Sequence, residues 1–108
     1  MKKLWIVPAL GIALAACGGK EPIGMNEANE IAALSQDAEI HQEAFAEAIR
    51  ELSTKEKCSA DFMRDYGGFM RVTGERYYFL YCGKPENISR RWYLDPVTGT
   101  LTRTDAEL

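Results

Sequence analysis

The sequence predicts an α+β domain in which one long N-terminal helix packs on a three- to four-stranded antiparallel meander sheet. Two observations carry this. Between residues 26 and 55 the apolar residues recur at threes and fours, the period of a one-sided helix. After Ser59 the pattern changes to short aromatic and β-branched runs separated by turn residues. A striped helix and a small sheet each have an apolar side, and the simplest arrangement buries one against the other.

The helix stripe consists of Ile31, Leu34, Ala38, Phe45, Ala48, Ile49 and Leu52. Asn26 is placed to cap its start, with Glu27 and Glu30 near the positive end of the helix dipole. Lys55 and Lys57 lie at the other end, and Glu51 precedes Lys55 by four residues, a favourable pairing. Ser35-Gln36-Asp37 is the one place where the helix is open to a break, but the stripe keeps its phase across it, so one helix is expected. Phe62 and Met63 suit a short strand or turn before Gly67-Gly68. The strands follow at Phe69–Thr73, Tyr77–Cys82, Arg90–Asp95 and Thr100–Thr104, joined by turns at Gly74-Glu75, 83–87 and 95–99. Connections this short favour antiparallel neighbours.

The residues before this domain have a different character. Lys2 and Lys3 give a positive start, Leu4–Ala13 is apolar, and the small residues Ala15 and Ala16 precede Cys17. The run is shorter than the roughly 20 residues a membrane-spanning helix needs and has the three parts of a secretory signal. Its ending, Leu14-Ala15-Ala16-Cys17, resembles the lipobox of bacterial lipoproteins. That resemblance implies a signal peptide over 1–16, cleavage before Cys17, and acyl chains on Cys17 that anchor the protein in a membrane, each buried CH₂ contributing about 0.8 kcal/mol. In the sorting of such proteins an aspartate after the cysteine favours the inner membrane. Gly18 therefore implies the outer membrane, facing the periplasm. Residues 17–25 then read as a flexible Gly- and Pro-bearing tether, and 26–108 as the folded domain.

Loss of Lys2 and Lys3 takes the 13 basic residues to 11 against 16 acidic ones, a net charge of −5. This balance offers no basic face for nucleic acid. In an exported domain of this size the remaining pair, Cys58 and Cys82, is expected to form a disulfide. There is no CxxC spacing, and the only histidine is distant, so neither a metal site nor a cofactor is expected.

If Cys82 faces the helix, strand alternation places Tyr78 and Leu80 with it, and Trp92 and Leu94 on the neighbouring strand. The other face then carries Tyr77, Phe79, Tyr81 and Tyr93, with Arg71 and Arg91 near them. Tyrosine and arginine together are enriched at protein interfaces, while cross-strand aromatic packing explains the same residues without a partner. Both readings stand.

His41 falls within the apolar stripe and reads as a packed histidine. Glu39, Glu43 and Glu47 form a row on the helix exterior that reads as a solvated acidic face, since calcium needs a wrapping loop. Neither a phosphate loop, a zinc-protease motif nor a nucleophile elbow is present. The expected function is therefore non-catalytic: a lipid-anchored envelope module that binds an envelope protein. Inhibitor and exclusion lipoproteins belong to the same class. The alternative is an envelope enzyme with a pocket near His41. The order helix-then-meander, with the hairpin rhythm of WYLDPVTGTLTR, resembles small lipoproteins that support outer-membrane protein assembly, a likeness of architecture alone.

Overall fold

The computed structural model describes residues 21–108. The 1–16 leader, Cys17 and the first part of the 17–25 tether lie outside the described residues. The remainder of the tether is not free of the domain. Ile23 is half-buried; its N–H donates to Ser53 Oγ (3.0 Å) and its carbonyl accepts from Arg50 Nε (2.8 Å).

The expected single helix is two. Helix α1 spans Met25–Ala32 and α2 spans Ala38–Leu52. Gly24, not Asn26, occupies the N-cap of α1, without a side-chain cap. Between the helices the chain tightens into bonds from Leu34 N–H to the Ile31 carbonyl and from Ser35 N–H to the Ala32 carbonyl, then turns at Asp37 in the left-handed region (φ 61°). Aspartate is among the few residues that tolerate this conformation. The break turns α2 back onto α1 and leaves Leu34 exposed rather than in the stripe. Gln42 Nε2 donates across the pair to the Asn29 carbonyl (3.2 Å). Within α2, His41 departs from helical geometry (φ −121°, ψ 19°) and kinks it.

A third helix, α3, spans Ala60–Tyr66 where a strand or turn was expected. Ser59 starts it by accepting from Phe62 N–H (3.1 Å), and Gly67, at φ 93°, stops it. Arg64 joins it to Asp61 (3.0 Å) on the same helix and to Glu27 (2.8 Å) on α1.

The sheet is a four-stranded antiparallel meander in the order β1 (Met70–Arg71), β2 (Tyr78–Tyr81), β3 (Arg91–Asp95), β4 (Thr100–Thr102). The α+β architecture is as expected, with shorter strands and three helices among the described residues. Cross-strand partners share a face. Tyr78 opposes Leu94, which opposes Leu101, and Leu80 opposes Trp92. These residues look toward the helices, where Ile31, Phe45, Ile49, Leu52, Met63 and Phe69 complete the core. Phe45 lies stacked on Phe69 and edge-on to Tyr78, with ring centres 5.2 and 5.0 Å apart.

The helix break is itself tied to the sheet. Ser35 Oγ accepts from Phe69 N–H (2.8 Å), Gln36 N–H donates to the Phe69 carbonyl (2.9 Å), and Gln36 Oε1 accepts from Arg71 N–H (2.9 Å). Gly68 has φ 76°, and a Cβ there would collide with Ser35 Oγ and the Ile31 carbonyl. Only glycine allows so close an approach. Cys58 and Cys82 form a disulfide with Cα atoms 4.5 Å apart, linking the segment after α2 to the end of β2.

Three outcomes follow. Replacing both Cys58 and Cys82 by serine should lower the unfolding free energy by about 3 kcal/mol, read from denaturant melts. Asp37→Ala loses both the left-handed tolerance and the acceptor for the Tyr78 hydroxyl (2.7 Å), for an expected cost of about 2 kcal/mol. Asp37→Asn, which keeps both, should cost less. Burial, then the hydrogen bond to Asp37, raises the Tyr78 pKa to about 12 from the ordinary 10. A raised folded-state pKa stabilises the fold fully below pH 10, and that contribution disappears as the pH climbs from 10 through 12. Melting curves across that window should show the decline, and Tyr78→Phe should reduce it.

Candidate functional site

Strand alternation places one set of β2 and β3 side chains away from the helices. Phe79 sits between Met70 and Tyr93, Tyr93 lies beside Thr102, and Tyr81 opposes Arg91. Tyr77 precedes Phe79 by two residues and shares its side. Of the six residues expected here, five meet: Tyr77, Phe79, Tyr81, Tyr93 and Arg91. Arg71 does not join them. It opposes Tyr78, so it belongs to the helix side, and its Nε donates to the Glu75 carbonyl (3.0 Å).

Arg91 organises this face. Its guanidinium lies over the Phe79 ring at 4.1 Å, with Tyr81 and Tyr93 at 5.3 and 6.0 Å. Nε and Nη2 donate to the Tyr81 hydroxyl (3.3 and 3.1 Å), and Nη1 donates to the Tyr93 hydroxyl (3.3 Å). Burial acts against the charge, but the hydrogen bonds to Tyr93 and Tyr81 together with the Coulombic effect of the same two groups outweigh it and hold the Arg91 pKa above its ordinary value. The aromatic rings also touch one another edge-on. Phe79 lies 5.3 Å from Tyr81, and Tyr77 lies 6.0 Å from Tyr93. The quadrupoles of such rings favour this geometry over face-to-face stacking.

The face differs from a bare row of exposed rings in two ways. Tyr93, at its centre, is only 4% exposed, while Tyr77, Phe79 and Tyr81 are half-buried. Its two ends are bordered by other parts of the chain. At one end Tyr66 of α3 stands edge-on to Tyr81 (5.0 Å) and stacks toward Phe62 (6.2 Å). At the other, the Tyr77 hydroxyl donates to Asp105 (3.3 Å) in the short 3₁₀ turn Asp105–Glu107. Burial, then the proximity of Tyr81 and Glu86, raises the Tyr66 pKa; burial and then Asp105 raise that of Tyr77. Tyr66 and Phe62 were not foreseen as members of the face. They reach it only because residues 60–66 are helical.

The remaining sequence candidates lie elsewhere. His41 packs edge-on to Phe45 (5.8 Å) on its own helix and to Tyr78 (5.6 Å) of the sheet, an aromatic contact between the two layers. Glu43, Glu47 and Glu51 form one wall of a groove of about 370 Å³ whose other lining includes Leu94, Leu101 and the 96–99 turn. His41 does not line it. Among the described residues no cluster of His, Cys, Asp and Glu is arranged to hold a metal ion, and no helix is long and apolar enough to cross a membrane. Compared with protein families, curated proteins and solved structures, the chain shows no match.

The unequal burial gives a stability test of which rings pack and which are presented. Tyr93→Ser should cost about 3 kcal/mol, in the range for deleting a buried aromatic side chain. Tyr81→Ser should cost less than half of that, with both measured by urea denaturation at neutral pH.

Proposed function

We propose that this protein is a non-catalytic, lipid-anchored protein of the bacterial cell envelope, held by acyl chains on Cys17, whose folded domain docks an envelope protein through the aromatic face around Arg91. The observation that carries the docking reading is the arrangement of that face: Phe79, Tyr81 and Arg91 are fixed in mutual contact yet remain half-exposed. Side chains already held in one conformation lose little further freedom on binding, which favours affinity. Tyrosine and arginine are also the residue types that dominate interface energetics. The anchoring reading rests on the lipobox-like Leu14-Ala15-Ala16-Cys17 run. On this reading the protein faces the periplasm from the outer membrane, and the segment before Ile23 connects anchor to domain.

Two measurements test the two halves separately. Cells fed a fatty-acid probe should label the wild-type protein and not Cys17→Ala; an unlabelled wild-type protein would defeat the anchoring half. A photo-crosslinking residue at Tyr81 should trap a discrete partner in intact cells, whereas one at the exposed Val97 should not. Phe79→Ser should abolish the Tyr81 crosslink while leaving the protein folded. Equal crosslinking from both positions, or persistence in folded Phe79→Ser, would defeat the docking half.

A further inference from the structure

Arg91 is a half-buried cation held in one orientation without an anion. Its hydrogen-bond acceptors are two phenol hydroxyls, and among the described residues no carboxylate lies within 4.0 Å of it. This is not for want of acids, since the chain has 16 of them against 13 basic residues. Arg64 finds both Glu27 and Asp61, and Arg76 finds Asp95. Arg50, Arg71 and Arg103 donate to the main-chain carbonyls of Ile23, Glu75 and Arg91. Arg91 does neither. A guanidinium has five N–H donors, and the bonds to Tyr81 and Tyr93 leave one N–H on each terminal nitrogen uncommitted.

Such a group is suited to one kind of ligand. A planar guanidinium matches a carboxylate in a two-point contact, and the pairing strengthens where neighbouring rings exclude water. The Phe79 ring beneath it and the two hydroxyls beside it fix the plane before any ligand arrives. We propose that Arg91 is the carboxylate receptor of the aromatic face, and that it takes an acidic side chain of the docked protein on the free N–H groups of its guanidinium. This rests on the docking reading and adds the chemistry of the partner: a surface that presents Asp or Glu.

The test uses the full-length protein in a neutral detergent, observed by ¹⁵N NMR at the Arg91 Nε–H. A capped Ala-Ala-Glu-Ala-Ala peptide should shift that signal saturably, and its Gln counterpart should not. The backbone amide of Tyr81 should shift with the Arg91 Nε–H, and this second signal reads the variants, which lack the guanidinium. Arg91→Gln should abolish the Tyr81 shift and leave amides far from the face unmoved. Arg91→Lys keeps the charge without the fork and should bind about tenfold more weakly. Equal responses to the Glu and Gln peptides, or a response to Glu matched by sodium chloride at the same ionic strength, would overturn the receptor assignment. Crosslinking from Tyr81 in cells then separates this failure from that of the docking reading. Capture lost in Phe79→Ser but kept in Arg91→Gln removes the receptor and leaves the face; capture kept in both removes both.

Discussion

The hydrogen bond from the Tyr78 hydroxyl to Asp37, 2.7 Å long, joins a left-handed residue between two helices to a side chain at the heart of the sheet. Around it lie the bonds of Ser35 and Gln36 to Phe69, so three successive residues of the interhelical turn are bound to the sheet or its approach. In a straight helix the side chains of Ser35, Gln36 and Asp37 would have only nearby backbone groups or water to bond. Breaking the helix satisfies them and places α1 beside α2 over the same sheet face. The close approach of Gly68 to Ile31 and Ser35 depends on this turn. The turn therefore fixes which side of the sheet is covered, and so which side is left to carry the aromatic face.

The elements of the sheet were legible because period-two alternation and turn residues are local signals. YYFLYC gave both the strand and its two faces but left open which is the inner one. The disulfide of Cys82 to Cys58 in the structure agrees with the face that carries Tyr78 and Leu80. The helix break was harder to read. The stripe from Ile31 to Phe45 keeps its phase across residues 35–37, so local periodicity favoured continuity. What overrides it is tertiary: partners for Ser35, Gln36 and Asp37 that are about 35 to 40 residues away in sequence. Helix α3 was missed for the opposite reason. Its signals are local, Ser59 before the first turn and Gly67-Gly68 after the last, but the short aromatic run between them resembles a strand.

The candidate face was likewise legible in part. Its strand residues follow from alternation once the inner side is known. Its borders do not, since Tyr66 and Asp105 arrive from a helix and from the end of the chain. Nor does sequence reveal that Tyr93 is packed while Tyr81 is presented. On a central strand the neighbours decide this: Tyr93 is flanked by Phe79 and Thr102 on either side, with Tyr77 at its edge and Arg91 bonded to its hydroxyl.

The two arginines expected near this face show how a single register decides chemistry. Arg71 opposes Tyr78 and Arg91 opposes Tyr81, positions of opposite parity on the same strand, so the two side chains fall on opposite sides of the sheet. Arg71 bonds the carbonyl of Glu75 and braces its own turn. Arg91 meets phenylalanine and tyrosine rings, which offer it a negative π-surface and hydroxyl oxygens but no full negative charge. Moving β1 by one residue against β2 would exchange the parity of Arg71 and bring a second cation to the aromatic side. The bond from Arg71 N–H to Gln36 opposes that slip, because it ties β1 to the helix break. The same turn that folds the helices back thus keeps the aromatic face with one central cation.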